Sequence, residues 1–312
     1  MKILLLGKNG QIGWELLRSL APLGEVVALD RGGGNGLVGD LADAAGLRAT
    51  VAAVAPDVIV NAAAYTAVDR AESEPELVHR INADGPGALA AEAAARGIWL
   101  VHYSTDYVFD GSGSRPWRED DPTGPLSVYG KSKLAGEEAI QASGCPHLIL
   151  RTSWVYTARG ADNFAYTILN LAREREKLTV IADQIGAPTR AGLIADVTAH
   201  LVRDVMRGVG GSSGLYHLVA AGETSWHNYA RFIVDEARRR GMALKAREIL
   251  PIPSSAWRSS VAVRPLNSRL DTTRLQRDFG IHLPDWQCGV RRLLDEIPLL
   301  ATIGEAIHHE RT

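Results

Sequence analysis

The chain has 312 residues, 46% hydrophobic and 22% charged, with a formal net charge of −2, enough for roughly two domains or one large α/β domain with an appendage. Near-neutral charge leaves no electrostatic footprint for nucleic acid, and no apolar run reaches the roughly 18 residues of a membrane span. Two cysteines, Cys145 and Cys288, supply neither a disulfide framework nor a metal site, and the apolar N-terminal run breaks too soon for a signal peptide, so a cytoplasmic protein is expected.

In chain order, short apolar runs alternate with longer amphipathic ones, the pattern of repeated βαβ units on a parallel sheet. Strands are predicted at residues 3–6, 26–29, 58–60, 98–101 and 148–150. Their nearly continuous apolar character suits strands covered on both faces. Helices are predicted between them at 12–20, 42–54, 76–95 and 128–141, with Gly97 ending the third as a C-terminal cap. Beyond about residue 152 the pattern loosens. Helices are expected at 163–175, 193–207 and 226–240, strands at 178–181 and 215–219, and a long ordered loop at 251–269.

The first strand runs into Gly7-Lys8-Asn9-Gly10-Gln11-Ile12-Gly13 and then a helix. Three such glycines make a tight turn, admit a pyrophosphate to the backbone and let helix pack closely on strand. The helix N-terminus then offers N–H groups to phosphate. The spacing is G-x-x-G-x-x-G, and its weight comes from its place between first strand and first helix. Asp30 ends the second strand, where a carboxylate accepts hydrogen bonds from an adenosine ribose and favours NADH. Its neighbour Arg31 could instead bind the 2′-phosphate of NADPH, so the choice stays open. Asp40 and Leu41 are placed for adenine contact. The expected architecture is a Rossmann-type doubly wound parallel sheet, residues 1–152 binding NAD(P). Residues 153–312 form a smaller, mainly substrate-binding part, with some segments returning to the core.

After the fourth strand comes His102-Tyr103-Ser104-Thr105-Asp106-Tyr107, and later Tyr129-Gly130-Lys131-Ser132-Lys133 opens a helix. Tyr129 and Lys133, four apart, share a helix face; Lys131 does not. A lysine ammonium beside a phenol is expected to lower its pKa toward working pH. Such a tyrosine can protonate a carbonyl oxygen as hydride reaches its carbon. The Thr105 hydroxyl, at a strand's carboxyl end, can bond the same oxygen. His102 reads as a packed core histidine.

With these runs stand Asn61-Ala62-Ala63-Ala64-Tyr65-Thr66-Ala67-Val68-Asp69, Arg151-Thr152-Ser153-Trp154-Val155-Tyr156, Gly186-Ala187-Pro188-Thr189 and Arg264-Pro265-Leu266-Asn267-Ser268. Together they make the chain resemble, over nearly its whole length, the extended short-chain dehydrogenases/reductases and within them the dTDP-4-dehydrorhamnose reductases. The resemblance implies reduction of the 4-keto group of dTDP-4-dehydro-L-rhamnose with NADPH or NADH, in the making of dTDP-L-rhamnose for surface polysaccharide. It makes Tyr129 the proton donor, Lys133 its partner and Thr105 the hydroxyl at the carbonyl. Thr105, Asp106 and Trp154 fall where the family holds the sugar. Gly10, Gln11, Ile12, Asp30, Asp40, Leu41, Ala64, Tyr65, Thr66 and Tyr103 match its cofactor positions.

Some members of the family dimerise through Mg2+ held by glutamates from both subunits. Glu15 and Glu296 are the counterparts here, but Ala191-Gly192-Leu193 lacks a further carboxylate, which argues against the metal and leaves a homodimer open. Related dehydratases carry Thr-Asp-Glu at the strand end; Thr105-Asp106-Tyr107 lacks that carboxylate and favours keto reduction. Epimerisation or reduction of another nucleotide sugar remains an alternative. So does a non-catalytic NADP-binding regulatory subunit, against which Thr105, Tyr129 and Lys133 together argue.

Overall fold

Both faces of β1 (Lys2–Leu6) are buried, Ile3 and Leu5 in one hydrophobic layer and Leu4 and Leu6 in the other. A strand between two helical layers has no wet face, so its sequence does not alternate. The computed structural model describes residues 1–159, 163–257 and 260–309. In it β1 is joined by β2 (Glu25–Leu29), β3 (Val58–Asn61), β4 (Trp99–Thr105) and β5 (His147–Thr152). Strand β6 (Lys177–Ile181) pairs elsewhere, and β7 (Gly214–His217) returns to the sheet. The six strands lie in the order β7-β5-β4-β3-β1-β2 and are all parallel.

Helix α1 (Gln11–Leu20) covers one face with Leu16 and Leu20. Helices α2 (Ala44–Val54), α3 (Gly85–Arg96) and α4 (Val128–Ala142) cover the other through Leu47, Val51, Leu89 and Ile140. Helix α5 (Phe164–Glu174) belongs to the C-terminal part, whereas α6 (Ala191–Met206) packs beside α1 through Ile194 and Leu201. Residues from beyond position 152 thus complete both a sheet edge and a helical layer.

A second core forms where α5 meets α7 (Trp226–Arg239), β6 and its parallel partner β8 (Glu248–Ile252). After α8 (Thr273–Phe279), helix α9 (Trp286–His309) adds Val290, Leu293, Leu294 and Ile297 to this core. That spacing is the buried stripe of a helix. Among the described residues, no helix is long and apolar enough to cross a membrane.

Three expectations need correcting. The fourth strand does not stop at residue 101. It continues through Thr105 because His102–Thr105, though largely polar, stay in register with Ile149–Thr152 of β5. The expected loop at 251–269 begins as strand, Pro251 and Ile252 pairing with Val180 and Ile181; its residues 258 and 259 lie outside the described ones. The expected helix at 76–95 contains a π-helical turn over Arg80–Asp84. There Asn82 leaves the helix surface to hold the Tyr65 backbone through both N–H (2.8 Å) and carbonyl (3.0 Å).

Candidate active site

A cleft of about 880 Å³ opens at the carboxyl ends of β1, β3, β4 and β5, where strand order reverses and doubly wound sheets bind ligands. Gly7, Gly10, Gln11, Ile12, Asp30, Arg31, Ala64 and Thr66 line one end. Tyr103, Thr105, Asp106, Tyr129, Lys133 and Trp154 line the other.

The first end is a cradle for an anion. Gly7 has φ +85°, and a Cβ there would stand 2.6 Å from the Ala63 nitrogen. A Cβ on Gly13 would run into the Gly7 carbonyl, so Gly13 serves helix–strand packing and does not line the cleft. No side chain caps α1, which leaves its first-turn N–H groups for a phosphate. At the end of β2, the Asp30 carboxylate accepts from the Gly32 N–H (2.9 Å) and the Asn9 amide (2.8 Å), with Lys8 Nζ at 3.6 Å. Arg31 beside it is exposed. These features fit a dinucleotide.

Asp40, Leu41 and Tyr65 do not line the cleft. Asp40 accepts from the Ala42 N–H (2.9 Å), Leu41 is buried in the core, and the Tyr65 hydroxyl donates to Glu74 (2.6 Å). Each was expected at the cofactor by position; Asp40 and Tyr65 make local hydrogen bonds instead, and Leu41 packs in the core.

At the second end, Ser127 caps α4 by accepting from the Gly130 N–H (3.1 Å). A Cβ on Gly130 would strike the Tyr107 carbonyl; this close approach sets Tyr129 edge-on against Tyr107, ring centroids 5.6 Å apart. The Thr105 hydroxyl donates to Asp106 Oδ1 (3.2 Å) and accepts from the Tyr107 N–H (3.2 Å). Burial pushes the Asp106 carboxyl up to about 6, the Ser268 and Thr105 hydroxyls pulling the other way. Its Oδ2 makes no hydrogen bond, nor do the buried Ser104 and Thr152 hydroxyls beside it. A cleft floor with such orphaned polar atoms is built for a hydroxyl-rich ligand.

The lysine does not do what its spacing suggested. Lys133 Nζ donates to the Tyr103 carbonyl (2.7 Å) and lies 3.1 Å from His102 Nε2. Burial lowers its amine to about 8 despite the nearby Glu137 carboxylate. The Tyr129 phenol is raised, not lowered: burial and the Asp106 charge outweigh the Thr105 hydrogen bond. Tyr129 therefore holds its proton at neutral pH. Tyr103, placed among the cofactor residues by position, turns its hydroxyl to Thr198 (2.7 Å) and offers Lys133 its carbonyl.

Trp154 sits at φ +47°, a left-handed conformation costly for a bulky residue. Its ring stacks on Trp226 at 3.7 Å and 16°. Trp226, also on the cleft wall, was not foreseen; it opens a helix 72 residues later, and only the fold joins the two. Ser104 and Thr152 lay inside quoted runs but had no spacing signal of their own.

Glu15 and Glu296 lie at a separate cleft of about 1280 Å³. Glu296 takes Arg190 Nη2 at 2.7 Å and Arg292 at 3.1 Å, and Glu15 pairs with Arg18 at 3.5 Å. A Cβ on Gly192 would stand 3.5 Å from Glu15 Oε2 and 3.6 Å from the Arg190 guanidinium carbon, so both side chains border the start of α6. Among the described residues, no group of three or more His, Cys, Asp or Glu could hold a metal ion. Within this chain the two glutamates are too few to hold Mg2+, and Glu296 is already neutralised by Arg190 and Arg292.

Comparison with known proteins identifies the family of the chain. The family described as the RmlD substrate binding domain matches residues 1–298. The dTDP-4-dehydrorhamnose reductase of Salmonella typhimurium is 54% identical over 97% of this chain and 100% of its own. That of Escherichia coli K12 is 52% identical over 95% and 98%. Among solved structures, a dTDP-4-dehydrorhamnose reductase from Clostridium acetobutylicum superposes with a TM-score of 0.85 at 32% identity, covering 96% of this chain and 100% of that one. One from Bacillus anthracis, in complex with NADP, gives 0.84 at 31% identity, over 95% and 99%.

Proposed function

The chain belongs to the RmlD substrate binding domain family, and from that membership and the cleft we propose that it reduces dTDP-4-dehydro-L-rhamnose to dTDP-L-rhamnose with NADPH or NADH. It is an NAD(P)H-dependent oxidoreductase of dTDP-rhamnose biosynthesis.

One observation carries the assignment of roles: an uncapped helix start and a Thr105–Asp106–Tyr129 cluster face each other across a single cleft. The N–H groups of Gln11, Ile12 and neighbouring turn residues would hold the dinucleotide phosphates, and Asp30 and Arg31 its adenosine ribose. A nicotinamide held there would supply hydride for the sugar's C4. Tyr129, kept protonated by its surroundings, gives its proton to the C4 oxygen, and the Thr105 hydroxyl steadies that oxygen and the phenolate left behind. Lys133 would orient the nicotinamide ribose. Asp106 Oδ2 accepts from a sugar hydroxyl, and the Trp154–Trp226 pair forms an apolar wall for the 6-deoxy side of the ring.

Residues 1–152 serve mainly the nicotinamide and 153–312 mainly the sugar nucleotide, with β7 and α6 in the shared core. The reading places the protein in the cytoplasm, where a freely exchanged reduced nicotinamide is regenerated. A homodimer would form without a bridging metal. Incubation with dTDP-4-dehydro-L-rhamnose and either nicotinamide should consume many equivalents of cofactor per enzyme. Absence of consumption with both would sink the reading.

A further inference from the structure

A buried polar chain lies behind the lysine, in which Asn61, His102 and Lys133 are at most 2% exposed. Asn61 Nδ2 is 3.1 Å from His102 Nδ1, and His102 Nε2 is 3.1 Å from Lys133 Nζ. The Asn61 amide cannot be turned over, because its Oδ1 accepts from the Ala63 N–H at 3.2 Å and that backbone group can only donate. Nδ2 therefore donates to His102 Nδ1. A neutral imidazole whose Nδ1 accepts carries its proton on Nε2, so the ring presents N–H to Lys133. An ammonium would meet that N–H donor to donor, whereas a neutral amine accepts from it and still donates to the Tyr103 carbonyl.

We propose that His102 is a positioning residue whose Nε2–H donates to Lys133 Nζ and biases that amine toward its uncharged form. The inference deepens the reductase reading and rests on it for the role of Lys133. Burial holds His102 well below its usual range, Lys133 adding to the effect, so a charged ring does not resolve the conflict.

The titratable groups around the pair leave its balance to His102. Glu137 on α4 favours the lysine charge, but its carboxylate is locked to Arg151 of β5 at 2.6 Å. Tyr103 of β4 turns its hydroxyl to Thr198 of α6. Tyr129 and Asp106 stand on the cleft side, and β3 contributes only the uncharged Asn61.

Two measurements decide the matter. Nitrogen-15 NMR of protein with labelled histidine rings reads the tautomer directly. The His102 resonances, identified by their loss in His102→Gln or their change in Asn61→Asp, should show a protonated Nε2 and a bare Nδ1. The opposite tautomer overturns the proposal. In the second, a glutamine can offer its oxygen to an ammonium, so His102→Gln should move the basic limb of the kcat profile up by about one pH unit, the worth of one hydrogen bond. Asn61→Asp, which draws the ring proton to Nδ1, should move it the same way and serves if His102→Gln does not fold. A lower kcat with an unmoved limb in the folded variant means that His102 merely packs, and overturns the proposal. Failure of the wild-type protein to turn over would instead sink the reductase reading, while the tautomer measurement still stands.

Discussion

Arg264 donates to Asp69 Oδ2 at 2.6 Å, tying a segment of the C-terminal part to the short helix Val68–Ala71 after β3. Asp69 also accepts from the Val261 N–H (2.9 Å), the Ala262 N–H (3.0 Å) and the Ser260 hydroxyl (2.9 Å). Arg264 reaches on to the Tyr107 hydroxyl at 3.3 Å, and Tyr107 abuts Tyr129. One carboxylate thus pins a strap beside the catalytic tyrosine. Asp69→Ala should raise KM for the sugar nucleotide about tenfold, on the order of one charge-assisted hydrogen bond, and change kcat less. Equal KM in steady-state kinetics would show that the strap does not shape the site. Burial pushes the Asp69 carboxyl up, but the Ala262 N–H, the Ser260 hydroxyl and Arg264 outweigh it and hold it below its ordinary value. The anchor therefore persists at neutral pH and is lost only as pH falls through that depressed value.

Tyr129→Phe removes the proton donor and leaves the ring that packs on Tyr107. Turnover should fall by roughly 10²–10⁴, the usual worth of a positioned acid, while cofactor affinity in a fluorescence titration stays within about twofold. Unchanged turnover would reassign the donor.

The strands of the parallel sheet and the glycine turn were legible because short apolar runs and glycine spacing are local signals, although the strand pairing they lead to is long-range. Ile3–Leu6 can only be a doubly covered strand, and Gly7 precedes Gly13 by one turn of helix and loop. What spacing could not supply was the direction a side chain takes once it has a choice of partners. Tyr65 was drawn to Glu74, and Lys133 to a carbonyl and an imidazole on the neighbouring strand. The Trp154–Trp226 stack and the Asp69–Arg264 bond join residues 72 and 195 apart, and no local periodicity encodes them. The last two helices went unread although α9 carries a regular apolar stripe.

Asp106 should impose an acid limb. With its carboxyl near 6, it loses its charge as pH falls below that value and then accepts more weakly from a sugar hydroxyl. kcat/KM for the sugar nucleotide should decline below about pH 6 in the wild type. Asp106→Asn should abolish that limb and lower the plateau. A limb of the same position in the variant would assign it to another group.

Arg31 is exposed beside an Asp30 already engaged by Asn9 and Lys8. Arg31→Ala should raise KM for NADPH by about tenfold, the scale of one lost charged contact, with little change for NADH. An equal effect on both would place Arg31 away from the 2′-phosphate.

Chelation should change nothing. Because Glu296 is already paired with Arg190 and Arg292 and Glu15 with Arg18, EDTA should leave turnover, melting temperature and sedimentation unaltered. Arg190→Gln, which leaves a half-buried carboxylate cluster without that cation, should lower the melting temperature by several degrees, for a cost of about 1–3 kcal/mol. Loss of activity or assembly in EDTA, restored by Mg2+, would contradict the guanidinium's role.

The sixth strand comes from residues 214–217, after the chain has left the sheet and built α5 and α6. Until those residues are synthesised, the nascent polypeptide presents β5 as an uncovered border, with Leu148, Ile149 and Leu150 on it. An apolar border of that kind invites pairing with other chains. The nicotinamide half therefore cannot be cut out at residue 152 as an autonomous module. A gene fusion or split-protein experiment that respects the sheet would break the chain after position 217, not at residue 152.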